Sequence, residues 1–184
     1  MIDDVEEILM GIRESLTYRH PVDLRNQQQI TDLFPAGVLV ILYIKCGALC
    51  VLLQKRTDKV EHHKGEISFP GGAQSSEDFD ILQTALRETQ EEMGINCDDV
   101  EIISRLDQVT TSSGFLITPF VGIIMSLYPF EANPVEVADI LEVPISPLLE
   151  QERVSGNLHT SMNSASYIYE KHVNQLLKSG NAYP

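Results

Sequence analysis

The feature that constrains this chain most is the run Phe69-Pro70-Gly71-Gly72, followed by Arg87-Glu88-Thr89-Gln90-Glu91-Glu92-Met93-Gly94-Ile95. An apolar segment ending in two glycines requires a tight bend, and the stretch after it must carry three carboxylates on a helix. Positions 88, 91 and 92 are spaced i, i+3 and i+4, so they share one helix face. Three like charges placed this way repel one another and weaken the helix unless a cation sits among them. Oxygen-only donors at this density suit Mg²⁺ or Mn²⁺ engaging a phosphorylated substrate. The competing reading of the same string is an ordinary solvated helix face. The apolar segment and double glycine before it favour the cation.

The rest of the chain is organised around this unit. Its 184 residues suit a single domain with a substantial core. We divide it into an N-terminal helix and connector (1–33), a core (34–150) and a C-terminal extension (151–184). In residues 3–18, Val5, Ile8, Leu9, Ile12 and Leu16 recur at helical spacing, predicting an amphipathic helix docked on the domain. A partner-binding helix is the alternative. The β-branched runs 37–44 and 48–56, separated by Lys45-Cys46-Gly47, predict a buried hairpin. A short strand is expected at 66–69, a helix over 80–93 stopped by Gly94, and strands at 100–109 and 117–126. A short helix or turn begins at Pro144. Beyond residue 150 we expect loop, an edge strand at 165–169 and a loosely held tail.

The formal net charge of −14 leaves no basic stripe, which argues against broad nucleic-acid or anionic-membrane binding. The acidic start Met1-Ile2-Asp3-Asp4 does not read as a secretory signal. The apolar stretch 36–44 is too short to span a bilayer as a helix. Cys46, Cys50 and Cys97 are odd in number and form no CxxC pair. They read as reduced thiols in or near the core of a cytoplasmic protein, with a Cys46–Cys50 disulfide as the alternative.

Hydrolysis of a diphosphate brings water to an electron-rich phosphorus, so divalent ions must neutralise oxygens and activate water. Glu88, Glu91 and Glu92 supply hard ligands, and Gly71-Gly72 can bring backbone carbonyls to the same ions. Arg87 can pair with one glutamate and fix its rotamer. Ala85, Leu86 and Thr89 can pack the back of the helix. The general base is either Glu88 or Glu136, which lies in the Asn133-Pro134-Val135-Glu136 loop. A solvated helix start is the alternative for Glu136 and Asp139.

Residues 72–95 resemble the Nudix box, G-x5-E-x7-R-E-U-x-E-E-x-G-U with U aliphatic. Gly72, Arg87, Glu88, Glu91, Glu92, Gly94 and Ile95 match it. Asp78 stands for the first glutamate, one extra residue separates it from Arg87, and Thr89 replaces the aliphatic residue. The resemblance implies an α/β fold, an α/β/α sandwich around a mixed sheet. It also implies a nucleoside diphosphate-linked substrate, with Glu88, Glu91 and Glu92 as metal ligands and Gly71 or Gly72 as a backbone ligand. Homodimers are common among similar proteins.

A narrower likeness runs through 52–57 (LLQKRT), 63–66 (HKGE), 69–72 (FPGG) and 84–88 (TALRE). It continues in Ser113-Gly114, Thr118-Pro119, Glu136-Val137 and Val143-Pro144. This pattern is similar to the coenzyme A diphosphatase subgroup, where the extra residue in the box is usual. It implies cleavage to 3′,5′-ADP and 4′-phosphopantetheine. Arg56 is the phosphate clamp on this reading, and His63 with Lys64 adds charge near the 3′-phosphate. An exposed loop pair is the alternative for His62-His63. Two departures stand out: Glu61 occupies a position where the subgroup tends to have arginine, and the C-terminal Tyr167-Ile168-Tyr169 continues without a tryptophan. The rival readings are a Nudix hydrolase for ADP-ribose, a dinucleotide or a nucleoside triphosphate, and a module that binds nucleotides without turnover.

Overall fold

The computed structural model describes residues 2–24, 32–59, 64–125 and 128–146. His63, Glu61 and the 151–184 extension lie outside them. The elements in chain order are α1 (Ile2–Thr17), β1 (Phe34–Lys45), β2 (Ala48–Arg56), β3 (Ile67–Ser68), β4 (Gly71–Ala73), α2 (Ile81–Met93), β5 (Glu101–Arg105), β6 (Val109–Thr110), β7 (Phe115–Ile124) and β8 (Val137–Pro144).

The central strand β1 pairs with β2 antiparallel, turning through Cys46 (φ 50°) and Gly47 (φ 78°). Two successive positive φ values suit the tight two-residue hairpin turn. On its other side β1 runs parallel to β7, in register from Phe34↔Phe115 to Tyr43↔Ile124. The path β3-β2-β1-β7-β5 forms the sheet, with β4 on β1, β6 on β7 and β8 on β2. One parallel pairing among antiparallel ones makes the sheet mixed.

Because side chains alternate along a strand, β1 feeds two cores. Ala36, Val40 and Leu42 join Val5, Leu9, Ile12 and Leu16 of α1 on one face. Leu39, Ile41 and Tyr43 join Ala85 and Met93 of α2 on the other. The product is the expected helix–sheet–helix sandwich, and the near-continuous apolar run of β1 is what a strand buried on both faces requires.

Several local expectations change. Ile8 is 44% exposed, because the buried stripe of α1 is the narrower set Val5, Leu9, Ile12 and Leu16. The predicted strand at 66–69 shrinks to Ile67–Ser68, and the two glycines form a strand themselves. The stretch 100–109 divides into β5 and β6. Glu136 and Asp139 do not begin a helix: Glu136 closes a turn and Asp139 lies on β8, paired with Lys55. Cys46, Cys50 and Cys97 are free, and Cys46 is exposed on its hairpin turn rather than near the core. Among the described residues, no helix is long and apolar enough to cross a membrane.

Candidate active site

Helix α2 is set by its ends. The Asp80 carboxylate accepts from the Gln83 N–H at 2.8 Å, capping the start. Gly94 ends it in the left-handed region (φ 70°), donating to the Gln90 carbonyl. Thr84, Ala85, Thr89, Glu92 and Met93 face the sheet. Leu86 is partly buried in the same layer.

The helix lies unusually close to β1 and β4 because glycines face it. A Cβ on Gly72 would fall 2.6 Å from Glu88 Oε2, and one on Gly37 would run into the Ile81 carbonyl oxygen, while Gly71 (φ 146°) abuts Val38 of β1 instead. Gly71 and Gly72 pair with Val38 and Gly37. The double glycine is therefore a strand segment against which the Glu88 carboxylate rests, a closeness no other residue permits.

The carboxylates form a gradient of burial. Glu92 is 1% exposed. Its Oε2 accepts from the Gly71 N–H at 2.9 Å and its Oε1 from Arg56 Nη1 at 3.3 Å. Burial nevertheless pushes its pKa up to about 7, against the opposing pull of Gly71, Gln54 and Arg56. Glu88 is half-buried and is also raised, first by burial, with Glu91 and Glu136 adding repulsion and Arg87 opposing. Glu91 stands at the rim, its side chain 57% exposed.

Arg87 does more than orient one glutamate. It donates from Nε and Nη2 to both oxygens of Asp78, at 2.9 and 3.0 Å. It also pairs with Glu88 at 2.8 Å and Glu91 at 3.1 Å. Asp78 accepts further from the Ser75 N–H and the Thr84 hydroxyl. Held first by Arg87, its carboxyl lies well below the usual carboxylate range. The shorter acid at position 78 is thus fully engaged despite the extra residue in the box.

Glu92 and Met93 also anchor the loop that carries Glu136. The Asn133 N–H donates to the Glu92 carbonyl and the Glu131 N–H to that of Met93, both at 2.9 Å. Thr57 holds the other side, its N–H on the Glu136 carbonyl and its hydroxyl on that of Val135. Arg56, Gly71, Gly72, Glu88, Glu92 and Glu136 all line one cavity of about 520 Å³. Glu91 and Arg87 are outside that lining, and His63 is outside the described residues.

Two groups were not singled out from sequence. Gln54, wholly buried on β2, donates to Ser68 at 3.5 Å and helps hold the Glu92 charge, while its Oε1 has no hydrogen-bond partner. The second is the Phe34–Phe115 pair at the cavity's apolar end. A glutamine inside an apolar β-run was the available signal for Gln54. For Phe34 there was none, because its partner is distant in sequence.

Among the described residues, no three His, Cys, Asp or Glu side chains form a ready metal cage. Arg87 draws Glu88 and Glu91 to itself, and Glu92 faces Gly71 and Arg56. The donor chemistry still fits a hard divalent cation. Glu88 and Glu92 are oxygen donors beside the same glycines, and burial disfavours their charged forms even with Arg87 and Arg56 beside them, a cost that a divalent cation would offset.

The NUDIX domain profile matches residues 33–155. The uncharacterized Nudix hydrolase NudL of Yersinia pestis (strain Pestoides F) is 37% identical over 103 residues, covering 56% of this chain and 52% of that protein. The chain therefore spans about half the length of the curated relatives it matches. Among solved structures, a Caenorhabditis elegans Ap4A hydrolase binary complex superposes with a TM-score of 0.58 at 17% identity, covering 80% of this chain and 96% of that one. The Mycobacterium smegmatis Nudix hydrolase RenU gives 0.59 at 19%, covering 79% and 86%. At such identities these likenesses speak to fold alone. With the profile spanning most of the chain and the box residues gathered on α2 and β4, the chain belongs to the Nudix family.

Proposed function

We propose that this protein hydrolyses the phosphoanhydride bond of a nucleoside diphosphate-linked substrate, with Mg²⁺ or Mn²⁺ held by Glu88, Glu91 and Glu92 and a backbone carbonyl of Gly71 or Gly72. The observation that carries the reading is the seating of Glu88 and Glu92 against Gly71-Gly72 in one cavity with Arg56. A bound cation would neutralise phosphate oxygens and raise the acidity of water. The chain's own residues do the rest. Gly71 and Arg56 fix the Glu92 carboxylate, while Arg87 holds Glu88 and Glu91 at the helix edge. Arg56, whose Nε is buried and without a hydrogen-bond partner, is the group for a phosphate oxygen. The general-base role falls to Glu88 or Glu136, since Glu136 lines the same cavity and its charge acts on Glu88.

As the specific substrate we propose coenzyme A or a derivative, cleaved to 3′,5′-ADP and 4′-phosphopantetheine. The subgroup-like segments support it, with Arg56, Phe69 and Gly71-Gly72 all at the cavity; His63 is the further substrate contact on this reading. Incubation with coenzyme A, acyl-coenzyme A, dephospho-coenzyme A, ADP-ribose, dinucleotides and nucleoside triphosphates, followed by chromatography of the products, tests both levels. Release of 3′,5′-ADP from coenzyme A supports the specific reading. Cleavage of a different diphosphate alone would remove coenzyme A and keep the chemistry. Tight binding without hydrolysis under either ion would make the protein a nucleotide-binding module instead.

A further inference from the structure

The cavity has two chemically different ends. Its charged lining residues, Arg56, Glu66, Glu88, Glu92 and Glu136, contrast with a floor made of Phe34, Ala36, Val38, Phe115 and Ile117. The floor follows from strand alternation. Residues 34, 36 and 38 share one face of β1, and 115 and 117 lie beside 34 and 36 on the parallel neighbour β7.

Phe34 is 68% exposed although it borders a hydrophobic cavity. Its ring centroid lies 6.1 Å from that of Phe115, with the planes inclined at 50°. Two tilted rings over a shallow apolar floor leave a π-face open to a third ring. At the same rim, the Thr111 and Ser113 hydroxyls, 2.9 Å apart, also line the cavity. They offer hydrogen-bonding groups to the edge of a heterocycle. Phe34 is three residues from Gly37, the register partner of Gly72, or roughly 10 Å along the strand. A ribose and its phosphates bridge such a gap, joining a planar group at one end to the anionic group at the other.

We propose that Phe34 and Phe115 form a nucleobase-binding platform that selects diphosphate esters carrying a purine or pyrimidine ring over those without one. The proposal rests on the diphosphate reading above and adds the residues that recognise the base. Neither aromatic belongs to the box or to the charged cluster, and the exposure of Phe34 means its replacement leaves the core intact.

The test is calorimetric titration with two non-hydrolysable ligands, α,β-methylene-ADP and methylenediphosphonate, which share the diphosphate and differ in the nucleoside. It is run with Mg²⁺ on wild type, Phe34→Ala and Phe34→Trp. Wild type should bind the nucleotide more tightly than the bare diphosphonate. Phe34→Ala should weaken nucleotide binding about 5- to 150-fold, the range for one base–aromatic stack, and leave the diphosphonate unchanged. Phe34→Trp should retain the preference. Equal affinities in wild type, equal losses for both ligands in Phe34→Ala, or no binding of either would overturn the proposal. A preserved base preference in a protein that hydrolyses none of the diphosphate panel would instead overturn the catalytic reading and leave the platform standing.

Discussion

The two helices cover opposite faces of one sheet by different physics. α1 presents Val5, Leu9, Ile12 and Leu16 to the sheet, and a bidentate ion pair, Arg13 with Glu101, sits at the surface. α2 presents Ala85 and Met93, but also two threonines and a nearly inaccessible glutamate, and an arginine ties its edge to three carboxylates. Apolar burial is undirected and tolerant, so the first face has only to fit. The second must place charges where burial disfavours them, and it does so by giving the most buried carboxylate, Glu92, a donor at each oxygen and by tying Glu88 and Glu91 to Arg87. The lesson is that one side supports the sheet by apolar packing and the other carries the charged groups of the cavity.

Substitutions should separate these roles. Leu16→Ala should give the largest loss of stability, about 2 to 5 kcal/mol by denaturant unfolding, without altering turnover per folded molecule. An equal fall in turnover would mean that α1 shapes the site. Arg87→Ala should cost about 3 kcal/mol, because it strands Asp78 with its side chain only 2% exposed, and turnover should fall as well. Retained turnover would separate Arg87 from the chemistry.

Acid should sharpen the contrast on the α2 side. The Asp78 carboxyl is held below its ordinary value in the folded protein, so the unfolded chain takes up the proton first as pH falls. Its stabilisation is complete above about pH 5 and drains away as pH drops past about 4 towards the folded value. Asp78→Asn should therefore be less stable at neutral pH and flatten the acid limb of the stability profile; an unchanged limb would remove Asp78 from the account. The smallest effect belongs to Arg13→Ala, at most about 1 kcal/mol by the same unfolding assay, since the pair is exposed. A larger loss would show α1 to be held by charge after all.

What was legible in the sequence follows the range of the interactions. Helix α2 and its stop at Gly94 are local patterns, and both are found, with Asp80 capping the helix rather than beginning it. The β1–β2 hairpin is local too. The parallel β1–β7 pairing joins residues about eighty positions apart, and nothing in either strand's own pattern names the other. Strand β8 was missed because its burial does not alternate and the acids at its start, Glu136 and Asp139, suggested a helix start. At the site, the close fit of Gly72 to Glu88 could be anticipated from the glycines. The engagement of Arg87 with Asp78 as well as two glutamates could not, since it depends on how residues 74–80 fold back. Gln54 and Phe34 carry no local motif, and their places come only from tertiary pairing.

The central claim, that the Glu88–Glu92 edge of α2 performs diphosphate hydrolysis, is met most directly by the turnover number of Glu92→Gln. Glutamine keeps the shape and its one carbonyl oxygen can accept from Gly71 or from Arg56, while the ionisable carboxyl, whose pKa burial already raises to about 7, is removed. The account predicts a fold intact by circular dichroism and a kcat lowered at least about a hundredfold on whichever diphosphate the wild type cleaves. A Glu92→Gln protein that turns over at the wild-type rate would contradict it.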